Sequence, residues 1–119
     1  MGNPVVQWQI LSRNAGSHAD FYAKLFAWTV SDANPLGYRT VDTGSERGIP
    51  GGFWPTPPEA IPFVQLFIEV DDVDACVEQT KTLGGGVIIP PQNLPAGETM
   101  AVLRDPEGMS FAIYRPALK

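Results

Sequence analysis

What constrains this chain most is a structural pattern that recurs at a fixed step. Gln7 and Gln65, Asn14 and Asp72, and Leu25 and Leu83 are each separated by 58 residues. The three pairs mark the same three points in each half: a strand, a helix cap and a helix end. Residue identity between the halves is weak, so arrangement repeats rather than letters. A repeat of this kind restricts the architecture before any single motif does.

Val5 to Leu11 alternates, with Gln7 and Gln9 on one face and Val6, Trp8 and Ile10 on the other. That is the period of a strand lying with one face on a core. Asn14 and Ser17 then offer N-caps, and Phe21, Tyr22, Leu25, Phe26 and Trp28 recur at helical spacing from Ser17 to Trp28. Thr29–Ser31, Tyr38–Asp42 and Ile49–Trp54 are short, turn-bounded strands, with Asn34-Pro35-Leu36-Gly37 as one turn. After a proline-rich stretch the order restarts with Phe63–Val70 and a helix from the Asp72 cap to about Leu83, closed by Gly84-Gly85-Gly86. Val87–Ile89, Thr99–Arg104 and Ser110–Tyr114 complete it. The expected fold is therefore α+β, a single domain over 1–119 built of two βαβββ modules, at about 4–54 and 63–116, with a linker at 55–62. A ferredoxin-like dimeric barrel needs one strand fewer per half and fits less well.

Composition removes several functions. Lys and Arg number 8 and Asp and Glu 13, for a formal charge of −5, which argues against a nucleic-acid partner. One cysteine, Cys76, excludes an internal disulfide framework and a cysteine-based zinc site. One histidine, His18, excludes a two-histidine metal motif within the chain. No apolar run approaches the roughly 18 residues of a membrane span, and residues 1–10 lack a signal-peptide pattern. The expectation is a cytoplasmic protein with no membrane partner.

Three segments resemble the vicinal oxygen chelate superfamily, which includes glyoxalase I, bleomycin resistance proteins and extradiol dioxygenases. They are Phe21-Tyr22-Ala23-Lys24-Leu25-Phe26-Ala27-Trp28 after a strand and Asn14, then Phe67 to Ala75 followed by Leu83-Gly84-Gly85, then Leu103-Arg104-Asp105-Pro106-Glu107-Gly108-Met109. The resemblance implies a sheet curled into an open barrel with helices outside, and a homodimer. It also implies a metal held by one residue from the first and last strand of each module. Those positions align with Gln7, Trp54, Gln65 and Ala112. Two neutral amides, an indole and a methyl group lack the carboxylate or imidazole donors that a divalent cation needs, so no metal or other cofactor is expected.

Gln7, Gln9 and Gln65 read as a polar pocket floor, because a buried amide without a partner costs about 1–3 kcal/mol. Trp54 is either a stacking wall for a flat ligand or a plug in the vacated metal position, and both readings stay open. Phe67 and Tyr114 share the inward parity of Gln65 and Ala112 and are candidate pocket walls. Trp8 and Trp28 read as core, His18 as a surface or half-buried residue of an outer helix, and Cys76 as a buried small apolar residue of the second helix. Asp71, Asp72 and Asp74 read as a cap with dipole partners. The functional expectation is a metal-free pocket that binds a small organic molecule. The alternatives are a metal-dependent lyase, isomerase or dioxygenase, and a metal-free enzyme using Glu69 or Tyr114 as acid or base. Catalytic residues are not assigned.

Overall fold

The computed structural model describes residues 2–32, 37–57 and 59–117. Eight strands and two helices follow one another as β1(Val5–Ser12), α1(Ala15–Phe26), β2(Thr29–Ser31), β3(Arg39–Asp42), β4(Gly51–Pro55), β5(Phe63–Glu69), α2(Val73–Thr82), β6(Gly86–Asn93), β7(Thr99–Arg104) and β8(Ser110–Arg115). The class is α+β and the order is βαβββ twice. The turn expected at 34–37 lies outside the described residues except for Gly37, as does Pro58 of the linker.

The chain divides into two compact units, 7–65 and 66–117, the second also taking the N-terminal residues up to Val6. In the first unit the strands run β2-β3-β4-β1, with β1 and β4 parallel and the other pairs antiparallel. In the second the order is β5-β8-β7-β6, with β5 and β8 parallel and the others antiparallel. The N-terminal residues belong to this second unit through Pro4, whose carbonyl accepts from the Glu69 N–H at 2.9 Å.

Both helices start on the expected caps. Asn14 Oδ1 accepts from the Ser17 N–H at 3.3 Å, and Asp72 Oδ1 from the Ala75 N–H at 3.0 Å. With Asn14 as cap, α1 begins at Ala15 rather than Ser17. It ends before Trp28, because Ala27 turns left-handed at φ 58°. The face that α1 buries also differs from the expected one. Ala15 and Ala19 are its buried residues, whereas Phe21 and Leu25 are 60% and 59% exposed. Small residues let the helix sit close to Ile10 and Phe53, and the larger aromatics are left at its edges. Trp8, Tyr22 and Trp28 do line this core, with Tyr22 and Trp28 stacked at 5.7 Å and 13°.

In the second unit α2 packs Val73 and Val77 onto Ala101, Leu103 and Ile113, with Cys76 half-buried beside them. Strand β6 runs through Pro90 and Pro91 to Asn93, well past the expected Ile89. Among the described residues it pairs with β7 alone, so prolines without an N–H are tolerated there, and the pairing slips between Val87 and Ile89 and between Ile89 and Gln92.

Candidate functional site

The parallel strand pair of each unit decides which side chains share a face. In the first unit Ile10 pairs with Phe53 on the α1 side, while Gln9 pairs with Gly52 and Leu11 with Trp54 on the other. Gln7 and Gln9 therefore share the face opposite α1 with Trp54, as alternation along a strand requires. Tyr38 precedes β3 opposite Trp54, by extension of the Arg39–Phe53 pairing, and belongs to the same face.

On this face a hydrogen-bonded chain runs across three strands. Gln9 Nε2 donates to Gln7 Oε1 at 3.1 Å and to the Tyr38 hydroxyl at 2.9 Å. Tyr38 reaches β1 from β3 by passing over Gly52, where any Cβ would fall on its hydroxyl and on the Arg39 carbonyl. Gln9 is 6% exposed, and its Oε1 is buried without a hydrogen-bond partner. Burial raises the pKa of Tyr38 above 10.0, and the Gln9 hydrogen bond offsets part of that rise. Trp54, 38% exposed, meets the Tyr38 ring at 5.4 Å and 49°. Tyr38 and Gly52 carry no motif, and their role becomes visible only from the strand register.

The register also moves one expected correspondence. Gln9 and Phe67 are 58 residues apart, but their partners Gly52 and Ala112 are 60 apart. Gly52 is thus the first-unit counterpart of Ala112, and Trp54 the counterpart of Tyr114. A shift of two residues keeps the face and changes the residue. With Gly52 in that place the family's metal positions hold an amide, no side chain, an amide and a methyl group. That donor set does not fit a divalent cation, whose charge would stay uncompensated on burial. Among the described residues no three His, Cys, Asp or Glu side chains gather closely enough to hold a metal ion.

The remaining candidates separate by unit. Gln65 belongs to the first, is buried at 5% exposure and is not without partners. Phe67, Ala112 and Tyr114 lie in the second, on the face away from α2, packed with Met100 and Val102. Burial raises the Tyr114 pKa, and the charges of Glu98 and Glu69 add to the rise. His18 is half-buried on α1, with Nδ1 2.9 Å from Ser12 Oγ on the core side of β1. A hollow of about 180 Å³ lies elsewhere in the first unit, between Trp8 and the loop from Asp42 to Pro50. It is small beside the roughly 300–1,000 Å³ of ligand pockets, and the amides do not line it.

Comparison with known proteins places this geometry among relatives. A family model described as Glyoxalase/Bleomycin resistance protein/Dioxygenase superfamily matches residues 6–113. The anthracycline biosynthesis protein DnrV of Streptomyces peucetius is 32% identical over 123 residues, covering 87% of this chain and 44% of DnrV. The chain thus spans less than half the length of that relative. A glyoxalase/bleomycin resistance protein/dioxygenase superfamily member from Vibrio splendidus 12B01 superposes with a TM-score of 0.66 at 11% identity, over 97% of this chain and 100% of that one. The Mn(II)-bound glyoxalase from Novosphingobium aromaticivorans gives 0.63 at 17% identity, over 92% of this chain and 36% of that one. At such identities the likeness is one of fold.

Proposed function

This chain belongs to the Glyoxalase/Bleomycin resistance protein/Dioxygenase superfamily, and from that premise we propose that it binds a small organic molecule without a metal. The site is the face of the first unit that carries Gln7, Gln9, Tyr38 and Trp54. The observation that supports it best is the buried Gln9 Oε1 without a donor. A buried acceptor left unmet costs about 1–3 kcal/mol, and a ligand that donates to it recovers that cost. Trp54 and Tyr38 supply aromatic surface beside it. DnrV is named for the biosynthesis of anthracyclines, and a flat aromatic ligand would agree with that name. The homodimer implied by the family resemblance, and the cytoplasmic location expected from the sequence, are part of the same proposal.

The test is a thermal-shift screen with flat hydroxy- and carbonyl-bearing aromatics, followed by calorimetry on the compounds that stabilise. Binding near a Kd of about 1 μM, or about −8 kcal/mol, is expected, with loss on Gln9→Leu and Trp54→Ala. No stabilisation by any compound would overturn the proposal. A stoichiometric gain of Zn, Ni, Fe or Mn that raises the melting temperature would overturn its metal-free part. A monomer mass in sedimentation would remove the dimer.

A further inference from the structure

We infer that the ligand is a neutral hydrogen-bond donor on a flat unsaturated ring, a phenol or enol whose O–H is accepted by Gln9 Oε1; this rests on the binding reading above. Gln9 Nε2 donates one hydrogen to Gln7 Oε1, which can only accept, and the other to the Tyr38 hydroxyl oxygen. Both Gln9 amide hydrogens are committed. The amide oxygen, on a side chain more than nine-tenths buried, has no donor.

The oxygen is also held in place. Tyr38 crosses β4 over Gly52 to reach Gln9, so the amide is braced from two strands rather than hanging from one. A fixed, buried acceptor selects for a donor, because an oxygen without a hydrogen would meet it lone pair to lone pair. An anion fares worse. The cation on β3, Arg39, belongs to the α1 side, where its guanidinium lies over Gly16 and pairs with Asp32 at 3.4 Å.

The ring follows from Trp54. Its indole stands two residues along β4 from Gly52 and meets the Tyr38 ring at 5.4 Å and 49°, leaving its outer surface exposed. A flat ring adds to such an aromatic pair by offset or edge contact with the exposed indole. Trp54 is the exposed side chain of the set.

Three probes of one shape separate the possibilities in calorimetric titrations of the full chain: 2-naphthol, 2-methoxynaphthalene and 2-naphthoate. The expected order is 2-naphthol tighter than its methyl ether by about tenfold or more, the scale of one buried acceptor satisfied, with 2-naphthoate weakest. In Gln9→Met the naphthol and methoxy affinities converge. The comparison within the unaltered protein carries the test even if that variant does not fold. Equal affinity for naphthol and its ether overturns the donor inference and leaves the binding reading standing. Tightest binding by 2-naphthoate also overturns it. No binding by any of the three overturns the binding reading itself for flat aromatic ligands.

Discussion

The hydroxyl of Tyr38 stands where the side chain of residue 52 would begin, so the hydrogen bond to Gln9 exists because Gly52 has no Cβ. Gly52→Ala must displace both the Tyr38 ring and the Arg39 carbonyl. Overpacking of this kind costs about 1–3 kcal/mol. Chemical denaturation is expected to show that loss, and Tyr38→Phe in the Gly52→Ala background is expected to cost less than it does alone, because its hydrogen bond is already broken.

The neighbouring glycine makes the opposite contact. A Cβ on Gly51 would fall within the Trp8 indole, on the α1 side of β4. Gly51→Ala is expected to destabilise by a similar 1–3 kcal/mol, roughly. It should also shift tryptophan emission, because Trp8 lies 5.6 Å from Trp28 and donates from Nε1 to the Ile49 carbonyl. An unchanged spectrum and midpoint would show that this contact is relieved at no cost.

The two caps separate hydrogen bonding from charge. Asn14→Ala and Asp72→Ala each remove one side-chain acceptor at a helix start, a loss of about 0.5–2 kcal/mol. Asp72 also carries a negative charge at the positive end of α2. Its substitution is expected to cost more than that of Asn14 in low salt, with the gap narrowing as salt is added. Urea midpoints at two ionic strengths measure it.

Burial raises the pKa of both Tyr38 and Tyr114 above 10.0. The folded chain therefore holds these phenol protons more tightly than the unfolded chain. The stability this contributes is complete below 10.0 and falls as pH rises through the folded values, since the unfolded chain ionises first. Midpoints compared between about pH 8 and about pH 11 are expected to fall, and to fall less in Tyr38→Phe. Glu98→Gln should bring the Tyr114 titration, followed by ultraviolet absorbance, back towards 10.0.

The architecture was legible in the sequence because its signals are local. Alternation from Val5 to Leu11, the caps at Asn14 and Asp72 and the break at Gly84 each depend on a few adjacent residues, and the structure carries all of them. The face of the site was legible for the same reason, since parity alone puts Gln7 and Gln9 on one side. Which residues stand opposite them was not. The step between halves changes from 58 to 60 before the last strand of the second module, and a two-residue shift leaves parity untouched, so Trp54 was aligned with Ala112 where Gly52 belongs. Tyr38 has no local signature in the sequence, because its role depends on what Gly52 lacks. Helix α1 misled in another way. Its aromatic residues recur at helical spacing, yet close approach to the strands favours Ala15 and Ala19.

Strand β6 has a consequence for how the protein behaves when crowded. It is the outermost strand of its unit, and Pro90 and Pro91 replace two N–H donors along it, while two slips in pairing bend its line. An extended segment of another molecule would find an irregular row of partners there. In the other unit β2, which borders β3 alone among the described residues, is only three residues long. Neither of these two borders suits runaway strand-to-strand polymerisation into fibres.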